Sequence, residues 1–173
     1  MVLDPAGIRR ATTRISHEIL ERNDGCSALA LVAIVQGGVP VAEMLASQLR
    51  EILRDRPTEI LLGALDVTLY RDDVVGHGRR PIPQKTQMPF SVAGRRVVLV
   101  EDVVFTGRTV RAAMDAVIDF GRPEAIQVAT LVDRGHRELP IRVDFVGKNI
   151  PTSRAEQVVL RRSSSGEYEV ILR

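Results

Sequence analysis

Residues 97–118 read VVLVEDVVFTGRTVRAAMDAVI, an apolar strand, an acidic pair, a small-residue turn and an amphipathic helix in immediate succession. Val97, Val98, Leu99 and Val100 are the largely β-branched run expected of a parallel strand covered on both faces. Glu101 and Asp102 stand where such a strand is expected to end. After Val103, Val104 and Phe105, the residues Thr106, Gly107, Arg108 and Thr109 offer backbone N–H groups and hydroxyls at the start of a helix, which is a cradle for a phosphate. From Val110 the apolar positions recur at Ala113, Met114, Val117 and Ile118, one buried helical face, and Gly121 with Pro123 supplies the stop. Carboxylates accept hydrogen bonds from sugar hydroxyls while the turn holds a phosphate ester of the same sugar, so a ribose 5-phosphate fits both. An ordinary strand-to-helix connection, with both acids solvated and Thr109 as a cap, accounts for the acids alone but not for the whole string.

The same plan occurs once before this unit. Residues 28–35 (ALALVAIV) form an apolar strand, Gln36-Gly37-Gly38-Val39-Pro40 a glycine loop suited to an anion, and Ala42, Leu45, Ala46 and Leu49 one face of a helix. Residues 60–69 are expected to be a third strand that delivers Tyr70-Arg71-Asp72-Asp73 to its end. Residues 125–132 form a further strand, ending in Asp133-Arg134-Gly135-His136-Arg137. Strands alternating with helices predict an α/β fold with a mainly parallel sheet, and ligands at the carboxyl ends of its strands. Residues 74–92, broken by Gly76, Gly78, Pro81, Pro83 and Pro89 and carrying Arg79, Arg80 and Lys85, suit a mobile basic flap over a phosphorylated substrate. Residues 138–156 suit a small irregular hood, and 158–160 with 168–172 a closing hairpin. At the front, Asp4-Pro5 begins a helix running to about Arg22, with Ile8, Ala11, Ile15 and Ile19 as its apolar stripe and Arg10, Thr13, Arg14 and His17 on another face.

Composition sets the outer bounds. A chain of 173 residues with 45% hydrophobic and 27% charged content is expected to form one domain with a real core. A net charge of +2 confines any nucleic-acid surface to a local patch. The lone Cys26 and the scattered His17, His77 and His136 give no metal-ligand spacing. No Walker-type or Gly-x-Gly-x-x-Gly string occurs, which argues against a nucleoside-triphosphatase or dinucleotide site. With no leader and no apolar run of membrane length, a soluble cytoplasmic protein is expected.

The central string resembles the phosphoribosyl diphosphate (PRPP) motif of type I phosphoribosyltransferases. Ile8-Arg9-Arg10-Ala11 with Thr13-Arg14-Ile15 and His17-Glu18, Thr68 to Asp73, Gly121-Arg122-Pro123, LVDRGHRELPI at 131–141 and VGKNIPTS at 146–153 are similar to the bacterial pyrimidine operon regulatory family, over nearly the whole chain. That resemblance implies a type I phosphoribosyltransferase fold and two activities. One is uracil phosphoribosyltransferase, converting uracil and PRPP to UMP and diphosphate. The other is binding of the pyrimidine-operon mRNA leader, dependent on uridine nucleotides such as UMP and UTP, which promotes transcription attenuation.

Carried over by position, the resemblance implies that Glu101 and Asp102 hold the ribose hydroxyls, with Val103, Val104 and Phe105 leading into Thr106, Gly107, Arg108 and Thr109 at the 5-phosphate. Arg71 and the flap with Lys85 serve the substrate, Gln36 and Gly37 form the diphosphate loop, and Arg134 and Val158 flank the base. Mg²⁺ enters mainly on PRPP oxygens. Thr13, Arg14, His17, Arg22, His136, Arg137 and Arg142 are the implied RNA contacts, where the plain alternative is a solvated basic face. A homodimer or higher homo-oligomer is implied as well. The chain departs from the family pattern at Glu101, where Asp is usual, at Phe105, where Tyr is usual, and at Gln36-Gly37-Gly38, where Thr-Arg-Gly is usual. Loss of one charge-assisted contact to a leaving anion costs roughly 2–4 kcal/mol of transition-state stabilisation, so slowed catalysis is expected. Two other readings stay open on the residues: a regulator that has lost catalysis, and a purine or orotate salvage enzyme with no RNA role.

Overall fold

The computed structural model describes residues 1–23, 28–35, 37–56, 59–72 and 85–173. Its centre is a parallel sheet in the order β2-β1-β3-β4-β5. The strands are β1 (Leu29–Ile34), β2 (Leu61–Leu65), β3 (Arg96–Val104), β4 (Ala125–Asp133) and β5 (Phe145–Asn149). Three helices flank them: α1 (Pro5–Arg22), α2 (Gly38–Ile52) and α3 (Arg108–Ile118). An antiparallel hairpin of β6 (Val158–Arg162) and β7 (Tyr168–Leu172) closes the chain, tied to the N-terminus by a Leu3–Val170 bridge.

Local chemistry explains each helix start. Asp4 accepts a bond from the Gly7 N–H at 2.6 Å, and Pro5 takes the first-turn position where no donor is needed. Gly38 opens α2 because a Cβ there would overlap the Val100 carbonyl of β3. Gly107 begins α3 with φ 90, a left-handed conformation that other residues adopt only under strain.

The predicted apolar stripes face the sheet. Ile8, Ile15 and Ile19 of α1 and Leu45 and Leu49 of α2 pack with Leu31, Val98 and Leu131 on one face. On the other face, Ala113, Ala116 and Val117 of α3 meet Val32, Val97 and Leu99. Truncating a fully buried side chain such as Leu45 to Ala costs about 2–5 kcal/mol.

Four expectations are corrected. First, β3 continues through both acids to Val104, so Glu101 lies inside the ladder opposite Thr130 rather than at the strand's end. Second, the strand expected over 60–69 stops at Leu65. Asp66 accepts the Thr68 N–H at 2.8 Å and turns the chain into a 3-10 segment, Thr68–Tyr70. Third, residues 85–92 of the expected flap pack against the sheet. Gln87 exchanges backbone bonds of 2.7 and 2.8 Å with Ala64, Val92 is buried, and Met88 and Phe90 pack on the core. Residues 74–84 of that flap, with Arg79 and Arg80, lie outside the described residues, as does Gln36. Fourth, 138–156 is not irregular throughout: Phe145–Asn149 is the fifth strand of the main sheet, because Phe145 and Val146 pair with Ala129 and Thr130.

Candidate active site at the carboxyl end of the central strand

Strand β3 and helix α3 bracket a cavity of about 300 Å³ lined by Arg71, Glu101, Val103, Phe105, Thr106, Gly107, Arg108, Thr109 and Glu138. All of these but Glu138 are residues the sequence places at a sugar-phosphate site. A larger cavity, about 600 Å³, lies between α2, β2 and residues 85–89, with Glu43 and Lys85 among its lining residues. Neither acid of the pair nor any residue of the α3 N-terminus lines it, whereas both Glu101 and the α3 N-terminus line the smaller cavity. Lys85, expected beside the substrate, sits at the larger one.

The acidic pair is electrostatically loaded. Burial, then the neighbouring Asp102, push the Glu101 carboxyl up to about 8, against weaker opposing effects of Arg71, a hydrogen bond from Thr109, and Arg137. At neutral pH Glu101 therefore holds a proton and offers a hydroxyl donor, a role the sequence reading did not anticipate. Burial raises Asp102 as well, offset by the Val103 N–H and its own N–H. The Asp102 side chain lies against the diphosphate loop: a Cβ on Gly37 would overlap its carboxyl group. At the position where the family usually carries arginine, a Cβ would thus require the Asp102 carboxyl to shift. Thr130, fully buried, supports the pair from β4 by donating to the Asp102 carbonyl at 3.0 Å.

The phosphate cradle is held from behind by the segment that follows β4. The Arg137 guanidinium donates to the Phe105 carbonyl at 2.7 Å, to the Ile141 carbonyl at 3.0 Å and to the Asp133 carboxylate at 2.5 Å. The Glu138 N–H donates to the Thr106 carbonyl at 3.0 Å. At the mouth, Arg108 bonds Glu138 through Nε and Asp72 through Nη1, both at 2.8 Å. Arg134 is buried, with its guanidinium 4.0 Å from the Phe105 ring centroid and bonds to Thr152 and Ser153. It orders Phe105 and the hood with groups that were expected to meet the base. Val104 is buried, and Val158 packs half-buried against the core; neither lines the cavity.

Comparison with known proteins agrees with this geometry. A phosphoribosyl transferase domain family model matches residues 1–160. The Bifunctional protein PyrR of Pelotomaculum thermopropionicum is 54% identical over 172 residues, 99% of this chain and 93% of its own length. The chain belongs to the PyrR family. The PyrR proteins of Deinococcus radiodurans, 54% identical over 98% of this chain and 91% of theirs, and of Roseiflexus sp., 57% identical over 92% and 86%, agree. Among solved structures, a hypoxanthine phosphoribosyltransferase from Staphylococcus aureus superposes with TM-score 0.67 at 20% identity, covering 88% of this chain and 78% of its own. One from Trypanosoma cruzi, in complex with the product IMP, gives 0.65 at 20% identity, covering 88% and 77%. At that identity the likeness is one of fold, and the fold is that of the type I phosphoribosyltransferases.

Within this PyrR-family chain the seven expected RNA contacts are spread over α1, the segment after β4 and the stretch just before β5. Thr13, Arg14, His17 and Arg22 line α1 along the edge strand β5, where Arg14 donates to the Val146 and Gly147 carbonyls at 3.1 and 2.6 Å and Arg22 pairs with Asp144 at 3.3 Å. His136 and Arg137 sit at the other end of the sheet, behind the phosphate loop. His136 has φ 61, contacts the Thr152 carbonyl at 2.6 Å and meets Phe105 edge-on at 5.5 Å. Arg142 is exposed just before β5. Two partners of the cradle escaped the sequence reading, Asp72 as a clamp on Arg108 and Glu138 as a lining residue. The charge alternation in GHRELP was the available signal.

Proposed function

We propose that this chain transfers a ribosyl 5-phosphate from PRPP to uracil, giving UMP and diphosphate, and binds the pyrimidine-operon mRNA leader in a manner governed by uridine nucleotides. The observation that carries the first half is that Glu101 lines one cavity with Thr106 to Thr109 at an open helix N-terminus, with Asp102 next to it on β3. The 5-phosphate is received by the N–H groups and hydroxyls of Thr106 to Thr109, and the ribose hydroxyls by Glu101 and Asp102. Arg71, at the cavity wall, supplies positive charge. Bond cleavage at the anomeric carbon releases diphosphate, and these residues stabilise the cationic sugar by position and field rather than through a protein nucleophile.

Mg²⁺ would be carried mainly on PRPP oxygens, with the carboxylates of Glu101 and Asp102 as the hard oxygen donors nearest to it. When bound, the ion neutralises the departing diphosphate. The basic α1 face and the 134–142 segment support the RNA half. No described helix is long and apolar enough to cross a membrane. We place the protein in the cytoplasm, where its substrates and nascent mRNA meet. The exposed Leu69, Tyr70 and Ile118 support a homodimer or larger assembly. Incubation with PRPP, Mg²⁺ and each free base in turn tests the enzyme: UMP from uracil is expected, and product only from hypoxanthine or orotate would overturn it.

A further inference from the structure

Arg108 is the hinge of the cavity mouth. Its Nε donates to Glu138 and its Nη1 to Asp72, so two carboxylates share one guanidinium at the site where a phosphate must arrive. A phosphate dianion matches that fork and carries more charge than either carboxylate, so it competes for the same donors. Asp72 and Glu138 differ in what lies behind them. Asp72 follows Arg71 at the end of the β2 arm. Glu138 is stitched to the cradle a second time by its N–H on the Thr106 carbonyl, its other oxygen faces Arg154 at 3.8 Å, and it directly follows His136 and Arg137.

From this we infer that Glu138 is a positioning residue that reports occupancy of the phosphate cradle to the 134–142 segment, by giving up Arg108 when a 5-phosphate takes it. The inference rests on the nucleotide-governed RNA reading above and supplies its mechanism. In the unliganded protein Glu138 is held to the mouth. With UMP bound, Arg108 turns to the phosphate, like charge repels the Glu138 carboxylate, and the residues beside it settle in a second arrangement. Both sites thus bias one short element, which is what coupling requires.

The test measures UMP affinity by calorimetry and the affinity of a pyrimidine-leader stem-loop with and without UMP, for the full chain and for Glu138→Gln and Asp72→Asn. The folded state of each variant is checked by thermal melting. In the wild type UMP raises RNA affinity by about fivefold or more, and RNA raises UMP affinity by the same factor, as linkage demands. Glu138→Gln is expected to bring both factors close to one. Asp72→Asn, which loosens the same guanidinium from its other side, is expected to keep them. Full coupling in Glu138→Gln overturns the inference, and so does equal loss in both variants, which would trace the effect to Arg108 alone. Wild-type RNA binding that ignores UMP would overturn the regulatory reading itself, a result distinct from either.

Discussion

The α1–β5 edge and the back of the phosphate cradle both carry basic residues expected to meet RNA, yet they are built in opposite ways. Along α1, Thr13, Arg14 and His17 are partly or fully exposed, and Arg14 is anchored to the outer strand of the sheet. Behind the cradle, Arg137 spends its donors on the Phe105 and Ile141 carbonyls and on Asp133, and His136 is held to Thr152. A basic patch free of the ligand site binds RNA with or without nucleotide. One whose backbone is shared with the ligand loop changes when the ligand arrives. On the function proposed above, the first region is expected to supply affinity and the second nucleotide dependence.

The largest expected effect separates the regions outright. Asp102→Asn removes a charge at the ribose, and Gly37→Ala pushes a methyl group into the Asp102 carboxyl. Each is expected to lower uracil phosphoribosyltransferase turnover by about a hundredfold, with nucleotide-free stem-loop affinity retained. Gly37→Arg, which restores the usual family residue, is expected to lose rate as well, because its Cβ meets the same obstacle. A faster Gly37→Arg enzyme would show that Asp102 moves aside readily and that the loop lacks only charge.

Next in size is pH. With the Glu101 carboxyl near 8, about one-tenth of it is ionised at pH 7 and most of it by pH 9. If ribose binding uses the ionised pair, kcat/KM for PRPP rises roughly tenfold across that interval, and Glu101→Gln flattens the rise. Stability runs the other way. The folded-state value lies above the ordinary 4.5, so the contribution is complete below about 4.5 and is lost as pH rises through about 8. A Tm that falls over this range in the wild type but not in Glu101→Gln is the expected signature. RNA binding through α1 should follow neither curve.

Smaller still are the surface contacts. Thr13→Ala and His17→Ala are expected to weaken the stem-loop by about five- to tenfold, on the order of 1 kcal/mol each, while uracil turnover persists. If affinity is unchanged in both, or if wild-type binding follows salt alone regardless of sequence, the α1 face is only a solvated helix surface.

The sequence carried the fold because its information is local and periodic: the stripe of Ile8, Ile15 and Ile19, the β-branched run at 97–100 and the Asp4-Pro5 helix start each name an element on their own. It also carried the cavity, since eight of the nine lining residues sit in or beside one contiguous string or at Arg71. What it hid depends on distant partners. That residues 85–92 are packed on the sheet follows from Gln87 finding the open edge of β2. That Phe145–Asn149 joins the main sheet follows from β4 having a free side, although a short run bounded by Asp144 and Gly147 gives little periodicity to read. The proton on Glu101 comes from burial beside Asp102, which only the packed strand supplies.

Arg14 gives the smallest and most discriminating prediction, because it belongs to both accounts of the α1 face. Its guanidinium reaches the Val146 and Gly147 carbonyls of β5 and, through Nη1, Glu18 at 2.9 Å. β5 is the outer strand of the sheet, so these bonds satisfy acceptors that no further strand covers. The side chain is about half exposed, so the i,i+4 pair with Glu18 adds little. The two carbonyl bonds together contribute about 1–2 kcal/mol. Arg14→Ala should therefore lower Tm by roughly 2–6 °C in a chain of this size, and Arg14→Lys should recover only part of that, since an ammonium lacks the fork that spans two carbonyls. If Arg14 only clips the edge strand, stem-loop affinity at a temperature where every variant is folded stays at the wild-type value. If it also meets phosphate, affinity falls in Arg14→Ala and its salt slope decreases by about one, while Arg14→Lys keeps the slope and loses the stability. An unchanged slope beside a lowered Tm would move Arg14 from the RNA surface to the architecture of the sheet edge and leave Thr13 and His17 to carry the contact.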